Sequence, residues 1–172
     1  VMLAAVCLGL YAPSSAAVIA DSSEADPPPL EEWVREGMVR AGRYWARTVA
    51  SHGGFVWEYT TDLVTRRRGE SGDLGPGTQW VQPPGTPSVG MTLLHAYAAT
   101  GEKTLLDAAV AAAHCLAWGQ LASGGWDYRI DFDLSKSRNR YHHLDPETTD
   151  DFSRLRNIST FDDDTTQSAP RF

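Results

Sequence analysis

A chain of 172 residues with 42% hydrophobic and 22% charged side chains is long enough to enclose a core of its own. Its formal net charge of −7 argues against nonspecific binding to nucleic acid or to an anionic membrane, whose charge it shares. The one basic run, Arg66 to Arg68, has no flanking stripe of Lys, Arg and aromatics and reads as a solvated loop.

Val1 to Leu10 is apolar, and Tyr11-Ala-Pro and the small-residue stretch Ser14 to Ala20 follow without a charge until Asp21. This reads as an export signal over 1–20, cleaved after Ala17 or Ala20, so a secreted or periplasmic location is expected. The run lacks a basic start and is too interrupted to read as a membrane span. Ser22 to Pro29 (SSEADPPP) forms a proline-stiffened linker. Cys7 lies in the signal and Cys115 in an Ala-rich stretch, so the mature chain has one thiol and no intrachain disulfide. Cys115 is expected as a small core residue, and no Cys/His spacing suits zinc.

Leu30, Trp33/Val34, Gly37/Met38, Ala41, Tyr44/Trp45 and Thr48/Val49 recur at helical spacing, with Glu31 and Glu32 at the start and Gly53 at the end. Trp33 and Trp45 are expected in the core. Gly53 to Leu63 (GGFVWEYTTDL) alternates Phe55, Trp57 and Tyr59 as an extended segment. Residues 65–85 read as loop, ending in Pro83-Pro84-Gly85. Thr86-Pro87-Ser88 supplies an N-cap and an N1 proline for a helix that stops at Gly101. A second helix runs from about Lys103 to Trp118, its alanines implying close packing on both sides.

Gly124 to Leu134 (GGWDYRIDFDL) then repeats Gly53 to Leu63 at an offset of 71 residues (124 − 53). Gly53/Gly124, Gly54/Gly125, Asp62/Asp133 and Leu63/Leu134 are identical, and Phe55/Trp126 and Trp57/Tyr128 both keep an aromatic. A Thr-led helix start follows each copy, Thr86 in one and Thr165 or Thr166 in the other. Such a unit cannot bury its helices alone. The expected fold is therefore all-α: αα-hairpin repeats, closed into a toroid or left open, with the GG-aromatic loops at one end. The long polar loop 135–159 carries Arg138, Arg140, the adjacent His142 and His143, and an Asn157-Ile158-Ser159 sequon.

The loop end would gather Phe55, Trp57, Trp80, Trp126 and Tyr128 with Arg129, Arg138, Arg140 and the triplet Asp162, Asp163, Asp164. Aromatic faces beside hydrogen-bonding charges suit a sugar, and Arg forks suit a sugar carboxylate. The Asp triplet could bind Ca²⁺, a hard cation that takes oxygen ligands. An acidic protein on an acidic polysaccharide needs such a bridge between two anions. The alternatives are packing between repeats for the aromatics, and helix capping by Asp164 with two exposed neighbours for the triplet.

GGWDYRIDFD followed by TFDDDTTQSAPRF resembles the family 10 polysaccharide lyases, the pectate lyases, with their GGW segment and T-[IF]-D-N-x-A-T-x-x-x-x-R-[FY] segment. Asp162 takes the family's Asp, Asp163 its Asn, Thr166 its Thr, and Arg171-Phe172 its Arg-aromatic pair. The resemblance covers Gly124–Asp133 and Thr160–Phe172. It implies an (α/α) toroid over 30–172, secretion, polygalacturonate as substrate and Ca²⁺. The implied chemistry is anti β-elimination, in which a base takes H5 of a galacturonate while Ca²⁺ and basic groups neutralise its C6 carboxylate. By the same resemblance Asp162 is the catalytic-site carboxylate. Asp162 and Asp163 hold the metal, and Trp126, Arg129, Asp163 and Arg171 bind substrate. The Asn-to-Asp change at Asp163 adds a negative charge, and Pro170 is a second departure. The family's catalytic base is an arginine downstream of this motif, so the chain is expected to be an N-terminal piece, inactive by itself. Two other readings compete. One is a different toroid enzyme of uronic acids, of the unsaturated glucuronyl hydrolase type, using two carboxylates and no Ca²⁺. The other is a non-catalytic glycan-binding repeat protein.

Overall fold

The computed structural model describes residues 29–69, 72–133 and 158–172. The signal, nearly all of the linker, and Arg138, Arg140, His142, His143 and Asn157 lie outside the described residues. Helix α1 (Leu30–Tyr44) runs directly into a π-helical turn, Trp45–Val49. Three short strands follow, β1 (Glu58–Tyr59), β2 (Arg66–Arg67) and β3 (Asp73–Leu74), and form one antiparallel sheet in that order. Next come β4 (Thr78–Trp80), α2 (Thr86–Thr100), α3 (Lys103–Gly119) and β5 (Arg129–Asp131). A 3₁₀ turn, Asp162–Asp164, leads into α4 (Thr165–Arg171). No helix among the described residues is long and apolar enough to cross a membrane.

The expected all-α toroid of helix repeats is overturned. The described chain is mixed, four α-helices with small antiparallel sheets. Segments that read as loop carry unpaired backbone donors and acceptors, and here they satisfy one another across strands. β4 pairs with β5 in the register Thr78↔Asp131, Gln79↔Ile130 and Trp80↔Arg129, joining the inter-helix segments of the two repeats.

Within this mixed fold the short repeat is real as a hydrogen-bond pattern. Ser51 and Gly54 exchange backbone bonds at 3.1 and 2.8 Å, closing the turn before Phe55. Leu121 pairs with Gly125 and Gly124 with Leu121 at 2.9 and 2.8 Å, closing the turn before Trp126. The Phe55 carbonyl accepts from Trp80 N–H at 2.9 Å, as the Trp126 carbonyl accepts from Thr160 N–H at 2.8 Å. Each time, the threonine six positions on returns to the aromatic residue. Thr86 Oγ1 accepts from Phe55 N–H (2.9 Å) and donates to its carbonyl (3.2 Å). Thr166 Oγ1 does the same to Trp126, both at 3.1 Å. Thr166, rather than Thr165, is thus the counterpart of Thr86. Thr86 is not the N-cap of α2. That position is Gly85, and the Thr86 hydroxyl serves the neighbouring loop. Thr86→Val is expected to orphan the buried Phe55 N–H and cost about 1–3 kcal/mol. Thr166→Val should cost less, because Thr166 is slightly more exposed, 9% against 0%. Urea titration of both variants checks the order.

Phe55 and Trp126 each sit in one of two apolar clusters. Phe55 joins Val49, Leu93, Leu105, Ala109 and Ala112, and Trp126 joins Val81, Cys115, Leu116, Ile130 and Ala169. Phe172 touches both, its ring lying where a Cβ on Gly90 of α2 would be. Cys115 is buried, as expected, and burial pushes its thiol up to about 12, so it stays protonated and unreactive. The apolar residues of α1 depart from expectation. Trp33 is 56% and Trp45 36% exposed, and Gly42 is the one residue of α1 itself that is buried. Trp45 still packs against Phe55 and Tyr59, with ring centroids 5.9 and 5.8 Å apart.

Candidate functional site

The Arg66–Arg68 run is divided by strand β2 rather than solvated as a whole. Alternation along a strand sends neighbouring side chains to opposite faces. Arg66 is buried, donating to the Gly75 and Pro76 carbonyls at 3.0 and 2.7 Å and to Gln79 Oε1 at 2.8 Å. Arg67 turns outward to Asp73 at 3.0 Å. Arg68 lies with its guanidinium carbon 5.5 Å from the centre of the Trp80 ring.

Trp80 is 3% exposed and organises the rings around it. Tyr128 stacks on it at 5.9 Å and 14°, and Trp57 meets it edge-on at 6.0 Å and 76°. Gln82 ties the set together. Its carbonyl accepts from Trp57 Nε1 at 2.9 Å, its Oε1 from Trp80 Nε1 at 3.3 Å, and its Nε2 donates to Asp163 Oδ2 at 2.6 Å. Trp57, Arg68, Trp80, Gln82, Tyr128 and Asp163 line one cavity of about 230 Å³ between the two repeated loops.

The three aspartates separate. Asp163 and Asp164 both take left-handed backbone, φ 48° and 62°, which turns successive side chains apart. Asp162 Oδ2 accepts from Tyr128 Oη at 2.6 Å, Asp163 accepts from Gln82, and Asp164 Oδ2 pairs with Arg171 Nη1 at 2.5 Å. Asp164 occupies the N-cap position of α4, as its alternative reading expected, but makes no side-chain cap bond. The bond to Asp162, with burial and the neighbouring carboxylates, raises the Tyr128 phenol above its ordinary range, so Tyr128 acts as a donor. Tyr128 reaches Asp162 as Trp57 reaches Gln82, so the repeat extends to the aromatic tips.

The other expected site residues do not line this cavity. Trp126 is 8% exposed and donates its indole N–H to the Leu116 carbonyl at 2.8 Å, beneath the loop. Arg129 lies opposite Trp80 on the β-ribbon, with Nε 3.5 Å from Asp131 Oδ2. Arg171 is held at Asp164. Arg68 and Gln82 were not expected in a site. Their signal was the nearby Trp57 and Trp80, but a basic run and a Gln-Pro-Pro turn carry no recognition pattern of their own.

Calcium takes about six to eight oxygen ligands. Among the described residues no three His, Cys, Asp or Glu side chains gather as one metal site. With the Asp triplet divided among three partners, these residues do not fit a resident calcium ion. What they do present is an aromatic-walled recess with a cation, an anion and an amide at its rim. No family model matches the chain, and neither a curated protein nor a solved structure matches it.

Proposed function

We propose that this chain supplies part of the polymer-binding face of a secreted pectate lyase, with polygalacturonate as its substrate. One observation carries the binding half of this reading: aromatic rings and charged groups converge on a single recess, with Trp57, Trp80 and Tyr128 beside Arg68, Gln82 and Asp163. Pyranose rings present apolar C–H faces and a rim of hydroxyls, and such a surface suits both. The lyase half rests on the resemblance of GGWDYRIDFD and TFDDDTTQSAPRF to the family 10 lyases. In that reaction the H5 proton leaves to a base, the C4–O bond breaks, and a C4=C5 double bond forms on the new non-reducing end. Asp163, held by Gln82, lines the recess, and Asp162 is bonded to Tyr128, one of the lining residues, which supports a role for both in meeting the polymer. Calcium is proposed only as an ion shared with the polymer's own carboxylates, since two protein carboxylates leave most of its oxygen ligands to come from elsewhere. No chemical step is routed through it.

The test is retardation of the 172-residue chain in gels containing polygalacturonate, with and without a calcium chelator. Expected are retardation, its loss with chelator, and weakening by about tenfold, or ~1.4 kcal/mol, in Asp162→Ala. Retardation that Asp162→Ala leaves unchanged removes Asp162 from the site. No retardation at all removes the polygalacturonate reading. A neutral galactan that retards the chain equally would favour a general glycan-binding role.

A further inference from the structure

We infer that a second cavity beside the recess is a subsite for a neutral pyranose, so that the chain meets a uronate polymer where a neutral sugar adjoins an acidic one. This rests on the polygalacturonate reading and goes beyond it, because that reading assigns nothing to the surface past Trp57 and leaves open which sugars flank the uronate.

Continuity comes first. The second cavity holds about 400 Å³ and takes Trp57 as one of its lining residues, as the recess does. One indole therefore serves both, and its position is fixed. Trp57 Nε1 donates to the Gln82 carbonyl at 2.9 Å, and the ring meets Trp80 edge-on. The other aromatic walls come from the junction of α1 with the π-helical turn, where Tyr44 is 48% exposed and Trp45 36%, and from Tyr59 of β1. Tyr59 holds Trp45 edge-on, with ring centroids 5.8 Å apart, and its own hydroxyl accepts from Val56 N–H at 2.8 Å. Rings held in this way, with part of their surface open, offer the C–H face of a pyranose a contact that costs little ordering.

Charge decides which sugar. Among the described residues that line this cavity, Glu58 carries the only full charge, and it is negative. Asp62 adds a second close by, its Oδ1 accepting from the Thr60 hydroxyl at 2.5 Å. The neighbouring arginines are engaged elsewhere. Arg66 lies with its guanidinium carbon 5.8 Å from the centre of the Tyr59 ring, but it is buried, and its Nη groups donate to Gly75, Pro76 and Gln79. Arg67, the cross-strand partner of Glu58, faces Asp73. A uronate placed here sets its carboxylate against Glu58 with no cation between them, and like charges repel. A neutral pyranose meets no such cost. Its hydroxyls donate to the Glu58 carboxylate and exchange bonds with the exposed hydroxyl residue Thr61.

The probes are two oligosaccharides of equal length, tetragalacturonate and a tetrasaccharide in which galacturonate alternates with rhamnose. Each is titrated calorimetrically into the full chain with calcium present. Tyr44 and Trp33 are exposed on α1 and Glu58 on β1, so Tyr44→Ala, Trp33→Ala and Glu58→Gln are expected to fold. The parent chain is expected to bind the alternating form about tenfold more tightly than tetragalacturonate. Tyr44→Ala should weaken the alternating form by about fivefold and leave tetragalacturonate within about twofold. Glu58→Gln should narrow the preference by strengthening tetragalacturonate about threefold. Trp33 lines neither cavity, so Trp33→Ala should bind both probes as the parent does. A parent chain that binds the two probes alike overturns the inference. So does an equal loss of both probes in Tyr44→Ala, or a loss in Trp33→Ala that matches the loss in Tyr44→Ala. In each of these cases the parent chain still binds tetragalacturonate, and the polygalacturonate reading stands. If the parent chain binds neither probe, the inference and that reading fall together.

Discussion

Phe55→Ala is expected to destabilise the fold by about 3–5 kcal/mol, the range for truncating a fully buried aromatic side chain. Phe55 is 0% exposed and lies among Val49, Leu93, Leu105, Ala109 and Ala112, so it joins the π-helical turn to both α2 and α3. Few of these neighbours can move to fill the space. The Phe55 backbone is held on one side by Trp80 N–H and on the other by the Thr86 hydroxyl. α2 and α3 are locked to each other through the short link after Gly101. Since domains of this size are stable by only about 5–15 kcal/mol, the loss would remove a large share of the total. Chemical denaturation compares the variant with Val64→Ala, a control at a residue 80% exposed that should change stability by about 0.5 kcal/mol at most. A cost below about 1 kcal/mol for Phe55→Ala would mean that this cluster is not the core.

Gly53→Ala should be the most damaging of the glycine changes, and its counterpart Gly124→Ala should be mild. Both glycines have positive φ, 76° and 89°, so a side chain at either costs about 1–2 kcal/mol in backbone energy. The surroundings differ. A Cβ on Gly53 would lie 2.3 Å from the carbonyl oxygen of Ala111 and 2.7 Å from its carbon. Those are backbone atoms in the middle of α3, which cannot rotate away. A Cβ on Gly124 would meet nothing within 4 Å. Overpacking adds about 1–3 kcal/mol at Gly53 alone. Thermal melts of the two variants under one condition decide the matter. Equal losses would show that α3 does not pass close over the first loop.

The repeat was legible because its signal is local. Two glycines and an aromatic recur as identities, and each does the same thing in space: a turn before the aromatic residue and a distant threonine clasping its backbone. Thr165 and Thr166 are equivalent in sequence, and only the geometry at Trp126 separates them. The boundaries of α2 and α3 were legible for the same reason, with Pro87 at the start of one and left-handed Gly101 at its end.

The sheets were not legible. Strands of two or three residues are too short to express an alternation, and β4 finds its partner β5 far along the chain. That gap led to the all-α expectation, because residues 65–85 look like loop when read alone. The fate of the basic run was hidden for the same cause. Arg66 becomes a buried clamp and Arg68 a wall of the recess only once β2 assigns them their surroundings. The exposure of Trp33 shows the limit of periodicity, which identifies an apolar face but not what covers it.

By itself the sequence determined the helices, the two GG-aromatic turns and the three adjacent carboxylates, since these depend on near-neighbour sterics and on residue type. The tertiary structure decided which groups share a site. It set Arg68, Gln82 and Trp80 beside Asp163, kept Trp126 below the surface, and divided the aspartates among Tyr128, Gln82 and Arg171. The reason is physical. Left-handed backbone at Asp163 and Asp164 turns adjacent side chains apart, while pairing of β4 with β5 brings side chains from two distant segments to one recess.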